Sequence, residues 1–475
     1  MRTQFAWESL SQDVRFGARL LRKSPAFSLA AILSLGVGIG LTTSIFAVLD
    51  ALLLRPLPVV EPSRLVDIYT SGADGDTFST SSLPDLLDFR TQTPAVADVI
   101  GYTPMFSVVS RGGPGDRARM MMGEVVTGNY FRMLGVSARL GRTLQPEDDI
   151  VGAPRVVVIS ERYWRRELNA DSAALGRSLR IRGDAYTIVG IVDRTFAGML
   201  PLLAPEIWVP TTQVENIEPA GINESVPSPT GTSRLDRRGS RWLFAKARLA
   251  PGISVEQARA NLQVVAGRLA TAYPQTNKDR RVSVRATTAT RIHPEADSTV
   301  MLIASATMVA VSLVLLIACA NVAGMLLARG SARAREVSVR LALGAGRGRL
   351  IQQLLIETML LASAGAAVGL AITWWVTHAL STLDLPLPIP VPIDLRIDAR
   401  ILTFTIVAAM ATALLAGLMP ALKATRLDLV SALRGTSSVG RAAGRRWTLR
   451  DLLVAGQMAI TTVLLVVAGL LVKSL

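Results

Sequence analysis

Five stretches of the chain are apolar almost without interruption, and the residues between them are mixed in character. Ala26 to Leu49 is 24 residues without a charge, Val300 to Ala328 is 29, Ile401 to Leu422 is 22 and Leu452 to Val472 is 21. Leu350 to Leu380 is the remaining one, interrupted by Glu357 near one end. At 1.5 Å per residue each can cross a hydrocarbon core about 30 Å thick, and soluble helices seldom run past about 20 residues without a charge. The pattern predicts transmembrane helices at about 25–50, 300–328, 350–380, 401–422 and 452–472. A cleaved signal peptide does not fit the first run, whose apolar part is too long and is preceded by too many residues.

Residues 51–298 alternate differently and predict a soluble α+β domain. Val156-Val-Val-Ile-Ser160 and Tyr186-Thr-Ile-Val-Gly-Ile191 are short β-branched runs bounded by Gly, Pro or charge, which predicts strands. Ser254 and Gln257 form a capping box after the Pro251-Gly252 turn, and Val255, Ala258, Leu262, Val265 and Leu269 then recur at helical spacing. Thr212 to Arg241 is rich in Gly, Ser, Pro and Asn and reads as a mobile loop. The fold class is thus a membrane protein: an α-helical transmembrane bundle with a large extracytoplasmic α+β domain.

Charge orients the spans. Segments 1–24, 329–350 and 423–451 hold 18 basic and 5 acidic residues, +13 of the net +15, whereas the rest of the chain holds 33 basic and 31 acidic. The positive-inside rule places these three segments in the cytoplasm and residues 51–298 outside. Segment 1–24 is itself amphipathic: Trp7, Leu10, Val14, Ala18 and Leu21 share a helical face, with Arg15, Arg19 and Arg22 off it, as in a helix lying in the inner-leaflet interface. Nucleic-acid binding is not indicated, because the basic residues hug the ends of apolar spans and no aromatic-interleaved patch accompanies them.

Candidate chemistry is sparse. One cysteine, Cys319, and two histidines, His293 and His378, exclude a disulfide scaffold and a Cys- or His-rich metal centre. No Gly-Lys pair occurs, so the Walker A loop is absent, and so is G-x-S-x-G. Gly344-Ala-Gly346-Arg-Gly348 reads as a turn, and Glu147, Asp148 and Asp149 read as a solvated face. No catalytic, cofactor-binding or metal site is expected. Within the runs, Asn321, Glu357 and His378 are the polar exceptions; Glu357 is close enough to a basic end to meet an arginine. Gly36-x-x-x-Gly40 and Gly365-x-x-x-Gly369 are small-residue ridges suited to close helix packing.

These pieces resemble a known family. One span, a large outside domain and three further spans is the layout of the FtsX-like/MacB-type ABC transporter permeases. Leu21-Arg-Lys-Ser-Pro-Ala-Phe27, Gly36-Val-Gly-Ile-Gly40 and Leu54-Arg-Pro-Leu-Pro58 resemble the start of the duplicated permeases described from acidobacteria. Gly128-Asn-Tyr-Phe131, Leu134-Gly-Val136, Gly141-Arg142, Trp164 and Leu175-Gly-Arg177 resemble that family's periplasmic core domain. Arg335-Glu-Val-Ser-Val-Arg-Leu-Ala-Leu-Gly-Ala345 resembles the cytoplasmic segment after the second span, and is the most specific part of the match. The resemblance implies this division: a cytoplasmic amphipathic helix (1–24), a first span (25–50), a periplasmic core domain (51–298), an FtsX-like permease domain (299–434), a cytoplasmic linker (435–451) and a fifth span (452–472). That fifth span, with Gln457 and Ala468-Gly-Leu-Leu471, resembles the opening of a second permease half, so the chain reads as a fragment of a duplicated form.

The resemblance implies a non-catalytic permease subunit in the cell inner membrane, working by mechanotransmission. A separate cytoplasmic ABC ATPase would hydrolyse ATP and move the periplasmic domain to export a drug, peptide or lipoprotein. Implied partners are that ATPase, the lipid bilayer, and a dimer mate or second permease half; no nucleic acid is expected. Arg335, Glu336, Val337, Arg340, Leu341 and Gly344 are the expected coupling helix. Glu336 and Arg340 form a favourable i,i+4 pair, and Val337 with Leu341 offers a small apolar knob. The alternative is a membrane-anchored receptor or scaffold whose outside domain binds a ligand without transport.

Overall fold

Proline at the first helical turn fixes φ where no amide partner is needed, and Pro25 opens span 1, Pro25–Leu49, which runs on into a short π-helical stretch, Asp50–Leu54. The structure, a computed structural model, describes residues 13–55, 57–71, 77–112, 118–199, 204–217, 223–224, 232–290, 293–332, 346–382, 397–424 and 449–474. The other long helices are span 2, Asp297–Ala332, span 3, Arg347–Thr382, span 4, Ala399–Ala424, and span 5, Leu449–Ser474. Among the described residues, the first four are long and apolar enough to cross a membrane. The chain divides into a helical unit (1–50, 302–382 and 395–475) and a sheet unit (51–301 and 383–394).

Span 1 is the hub of the helical unit. Ala31, Leu35 and Ile39 of span 1 are buried in one cluster with Ala318, Cys319 and Val322 of span 2, Leu361 and Ala362 of span 3, and Ala409, Ala413 and Ala416 of span 4. Small residues dominate this interior because apolar lipid supplies little force to bring helices together, leaving close van der Waals contact to hold them. Span 5 differs: Val454, Met458, Val463, Leu465 and Val466 are all more than half exposed. Deleting residues 447–475 is therefore expected to leave insertion and folding of the rest intact. Accumulation and thermal melting in detergent check this, and loss of the protein would make span 5 integral to the bundle.

The sheet unit is built on β1 Leu65–Thr70, β2 Val96–Ser110, β3 Arg119–Val126, β4 Ala138–Gly141, β5 Val156–Ser160 and β6 Ser178–Ile181. It continues with β7 Asp184–Val192, β8 Ile207–Pro210, β9 Asn223–Glu224, β10 Ser240–Arg241, β11 Phe244–Leu249 and β12 Val282–Ala286. Ten strands form one mixed sheet in the order β12-β1-β11-β2-β3-β8-β5-β7-β4, with β6 paired to both β2 and β7. Period-2 alternation splits strands such as β5 and β8 between two cores. Val157, Ile159, Ile207 and Val209 join the larger one, whereas Val156, Val158 and Trp208 join the smaller. The larger core also takes Ala258, Leu262, Val265 and Leu269 from the helix Val255–Ala272, whose Ser254–Gln257 capping box makes both of its bonds. Gly190 of β7 meets the backbone of β4 where a Cβ would collide with the Arg142 carbonyl, and Gly141 there has φ +72°.

Two expectations are corrected here. Thr212 to Arg241 is not loop throughout: Thr211–Gln213 is a 3-10 turn, and β10 pairs with β9 at Ser240↔Glu224 and Arg241↔Asn223. Of the acidic trio only Glu147 is a solvated side chain. Asp148 is gripped by Arg142 at 2.5 and 2.8 Å, and Asp149 accepts bonds from the Thr211 hydroxyl and the Thr212 and Gly128 amides. The 3-10 turn Pro146–Asp149 points successive side chains in different directions, so one faces water and two face donors.

Candidate functional site

Spans 1 and 3 cross with their backbones in contact at the two glycine ridges. A Cβ on Gly40 would lie 3.0 Å from the Gly369 carbonyl oxygen and 3.1 Å from its Cα. One on Gly36 would lie 3.3 Å from the Gly365 oxygen, and one on Gly369 would lie 2.9 Å from the Gly40 nitrogen. The backbones touch because none of these residues has a side chain to hold them apart. All four glycines face one another within a single chain, so this ridge is not available as a seam between two copies.

Hydroxyls reinforce the crossing and return their protons to backbone carbonyls. Thr373 Oγ1 donates to the Gly40 carbonyl at 3.2 Å and lies 3.3 Å from Ser44 Oγ. Thr42 Oγ1 reaches the Val311 carbonyl of span 2 at 3.4 Å, and Thr43 meets Thr405 of span 4 at 3.4 Å. Span 1 thereby contacts spans 2, 3 and 4 through hydroxyls. Near the ends of the spans the contacts become ionic. Arg329 of span 2 donates to Glu357 of span 3 at 2.8 Å, and Arg400 of span 4 approaches Asp50 at 3.3 Å. Glu357 and Asp50 are buried, and a buried carboxylate without such a partner is costly.

The other polar exceptions fall elsewhere. Asn321 is exposed, and the His378 ring stacks on Trp374 with centroids 5.4 Å apart. Arg335, Glu336, Val337, Arg340, Leu341 and Gly344 lie outside the described residues, between the ends of spans 2 and 3. Trp7 and Leu10 also lie outside them. Of the same amphipathic face, Val14 and Ala18 are exposed on a helix over 13–22, whose buried side is formed by Asp13 and Gly17.

The sheet unit holds buried charges that sequence reading missed. Glu124 on β3 is fully buried, and its Oε2 accepts from Tyr130 Oη and Trp208 Nε1, both at 2.9 Å. Burial pushes its carboxyl up to about 7, while those two bonds and the Met199 amide pull the other way. Tyr102, Tyr130, Phe131, Phe196 and Trp208 pack around it. The signal was present: Met122, Glu124 and Val126 share one face of a strand, which puts an acid at an inward position. Arg241 is likewise buried and pushed down to about 10 by burial, with Asp85 at 3.1 Å as its counter-ion. Asp85 also takes Arg238 at 2.6 Å and Asn277 at 2.9 Å. Each carboxylate has donors around it and these groups read as structural, although Glu124 Oε1 and Arg241 Nε are buried without a hydrogen bond. Among the described residues no group of His, Cys, Asp or Glu is arranged to hold a metal ion.

Comparison with known proteins finds two family matches along the chain. The profile of the MacB-like periplasmic core domain matches residues 28–265, half of the chain, and that of the FtsX-like permease C-terminal domain matches residues 308–429. The periplasmic region of MacB from Actinobacillus actinomycetemcomitans is similar at 15% identity, over 51% of this chain and 93% of that one, with a TM-score of 0.34. The extracellular domain of the noncanonic ABC-type transporter YknZ from Gram-positive bacteria is similar at 13% identity, over 46% and 99%, with a TM-score of 0.33. No curated protein matches. A MacB-like core domain followed by an FtsX-like domain, on a chain with membrane-spanning helices, defines the lineage: this protein belongs to the MacB/FtsX-like family of ABC-transporter permeases, a membrane protein with a periplasmic domain.

Proposed function

We propose that the chain is the inner-membrane permease subunit of a mechanotransmission ABC transporter. A separate cytoplasmic ATPase binds and hydrolyses ATP, and the resulting movement of the spans drives the periplasmic domain to export a drug, peptide or lipoprotein cargo. The observation that carries this reading is the close packing of the helical unit. Where spans 1, 3 and 4 meet, the core is Leu35, Ile39, Leu361, Ala362, Ala413 and Ala416, and the glycine backbones of spans 1 and 3 touch. Backbones in contact, cross-bonded by the hydroxyls of Ser44 and Thr373, support transmission of movement from one span to the next. The +13 excess in segments 1–24, 329–350 and 423–451 supports an orientation with those segments facing the ATPase.

Residues 335–344 are the proposed seat of the ATPase. The four-residue spacing of Glu336 and Arg340 suits a helical ion pair, and that of Val337 and Leu341 suits an apolar knob. Changing both Val337 and Leu341 to Asp is expected to abolish co-purification with the cognate ATPase and permease-stimulated ATP turnover, with insertion unchanged. Undiminished binding in the double variant would reduce this segment to a topological loop. A wild-type chain that binds no ATPase would favour a membrane-anchored receptor instead.

A further inference from the structure

The helix over residues 13–22 lies against the helical unit by the side that carries Asp13 and Gly17, with Leu20 and Leu21 half-buried and Leu21 packed on the bundle core. Asp13 and Gly17 are buried, whereas Val14, Arg15, Phe16, Ala18 and Arg19 are exposed. Gly17 makes the approach close: a Cβ there would lie 2.9 Å from Leu360 Cδ1 and 3.9 Å from the Glu357 Cα, both in span 3. The end of this helix meets the end of span 2. Arg329 Nη2 donates to Ser24 Oγ at 2.5 Å and to the Leu20 carbonyl at 3.4 Å, while Nη1 donates to Glu357 at 2.8 Å. The guanidinium carbon also lies 4.7 Å from the Phe27 ring centroid. At the start of the helix, Asp13 faces Arg349 of span 3 at 3.5 Å.

We propose that the N-terminal helix is a strap that fastens the adjacent ends of spans 2 and 3 to the root of span 1, with the Arg329 guanidinium as its buckle. The two attachments differ in strength. The Asp13–Arg349 contact is long and its arginine is half exposed, so screening leaves it weak. Arg329 is 15% exposed and Glu357 6%. Three oxygen acceptors and one aromatic face converge on that one planar fork, an arrangement a lysine cannot reproduce. Spans 2 and 3 therefore cannot shift against the root of span 1 without breaking charge-assisted bonds in a poorly hydrated place. The proposal rests on the permease reading only in what the strap would serve: a force applied between residues 332 and 346 would reach span 1 through it.

The test needs no ATPase. Hydrogen–deuterium exchange is measured on the full chain in nanodiscs of phosphatidylethanolamine and phosphatidylglycerol, for wild type, Arg329→Gln and Arg329→Lys. With the buckle removed, amides of residues 17–24 are expected to exchange about tenfold faster, the scale of one lost charge-assisted bond. Those of Gly36–Gly40 and Gly365–Gly369 should keep their protection. If Arg329→Gln does not accumulate, Arg329→Lys decides, since it keeps the charge beside Glu357 and loses the fork. Wild-type exchange at residues 17–24 in the lysine variant would overturn the strap, and so would equal loosening throughout the bundle. Failure of the wild type to bind an ATPase would sink the permease reading and leave this result standing.

Discussion

Replacing Gly40 by leucine is expected to abolish accumulation of folded protein, while alanine at the same position leaves a destabilised but folded chain. The atoms in the way are backbone. A Cβ on Gly40 would sit 3.0 Å from the Gly369 carbonyl oxygen and 3.1 Å from its Cα, and neither can rotate aside. Alanine also gains about 1 kcal/mol of helix propensity over glycine, which offsets part of an overpacking cost of about 1–3 kcal/mol. Leucine gains no more propensity and adds three carbons to a crossing with no room. The cost is then about 4 kcal/mol or more, a large part of the stability of a typical domain. Gly324 of span 2 is the control, because nothing lies within 4 Å of its would-be Cβ. Gly324→Ala should be neutral or mildly stabilising. Thermal midpoints in detergent separate the three, and a Gly40→Leu protein melting like wild type would show that spans 1 and 3 do not cross here.

Glu124→Gln is expected to remove a pH dependence from the stability of the sheet unit. The folded carboxyl titrates at about 7 and the ordinary value is 4.5, so the folded state holds its proton more tightly. Below 4.5 both states are protonated and the stabilisation is complete. Between 4.5 and 7 the unfolded chain loses its proton while the folded chain keeps it, and stability falls by about 3 kcal/mol before levelling off. Glutamine does not titrate, and its carbonyl oxygen can still accept from Tyr130 and Trp208. The variant should therefore lack this fall, gaining about 3 kcal/mol on wild type between pH 4.5 and pH 8. Urea unfolding of the full chain in detergent, followed by tryptophan fluorescence, reads it directly. Identical pH profiles for the two proteins would mean that Glu124 is hydrated in solution.

Legibility in the sequence followed the range of the interaction. Val156–Ser160 was readable because β-branched residues bounded by charge leave few alternatives, and the strand has those bounds. The Ser254–Gln257 box was readable because both partners lie within one turn. Glu124 and Arg241 escape a reading of the sequence and Asp149 is misread as solvated, since the groups that make their burial tolerable are distant in the chain. Trp208 is 84 residues from Glu124, and Thr211 is 62 from Asp149. Thr212 to Arg241 misled because its composition reports turns and says nothing of the Asp85 side chain that holds its last residue.

The sequence by itself determined the membrane spans, the family and the charge asymmetry. A bilayer demands about 20 apolar residues per crossing whatever the neighbours are, and excess arginine stays on one side of it. It also marked Gly36, Gly40, Gly365 and Gly369 as places where a helix could be approached closely. Only the tertiary structure decided which helices meet there, because a small-residue ridge names no partner. Likewise it alone decided that Arg329, one of six arginines in its segment, turns inward to Glu357, Ser24 and Leu20. That choice depends on three acceptors converging from separate stretches of chain, and convergence is a property of the fold rather than of any local pattern.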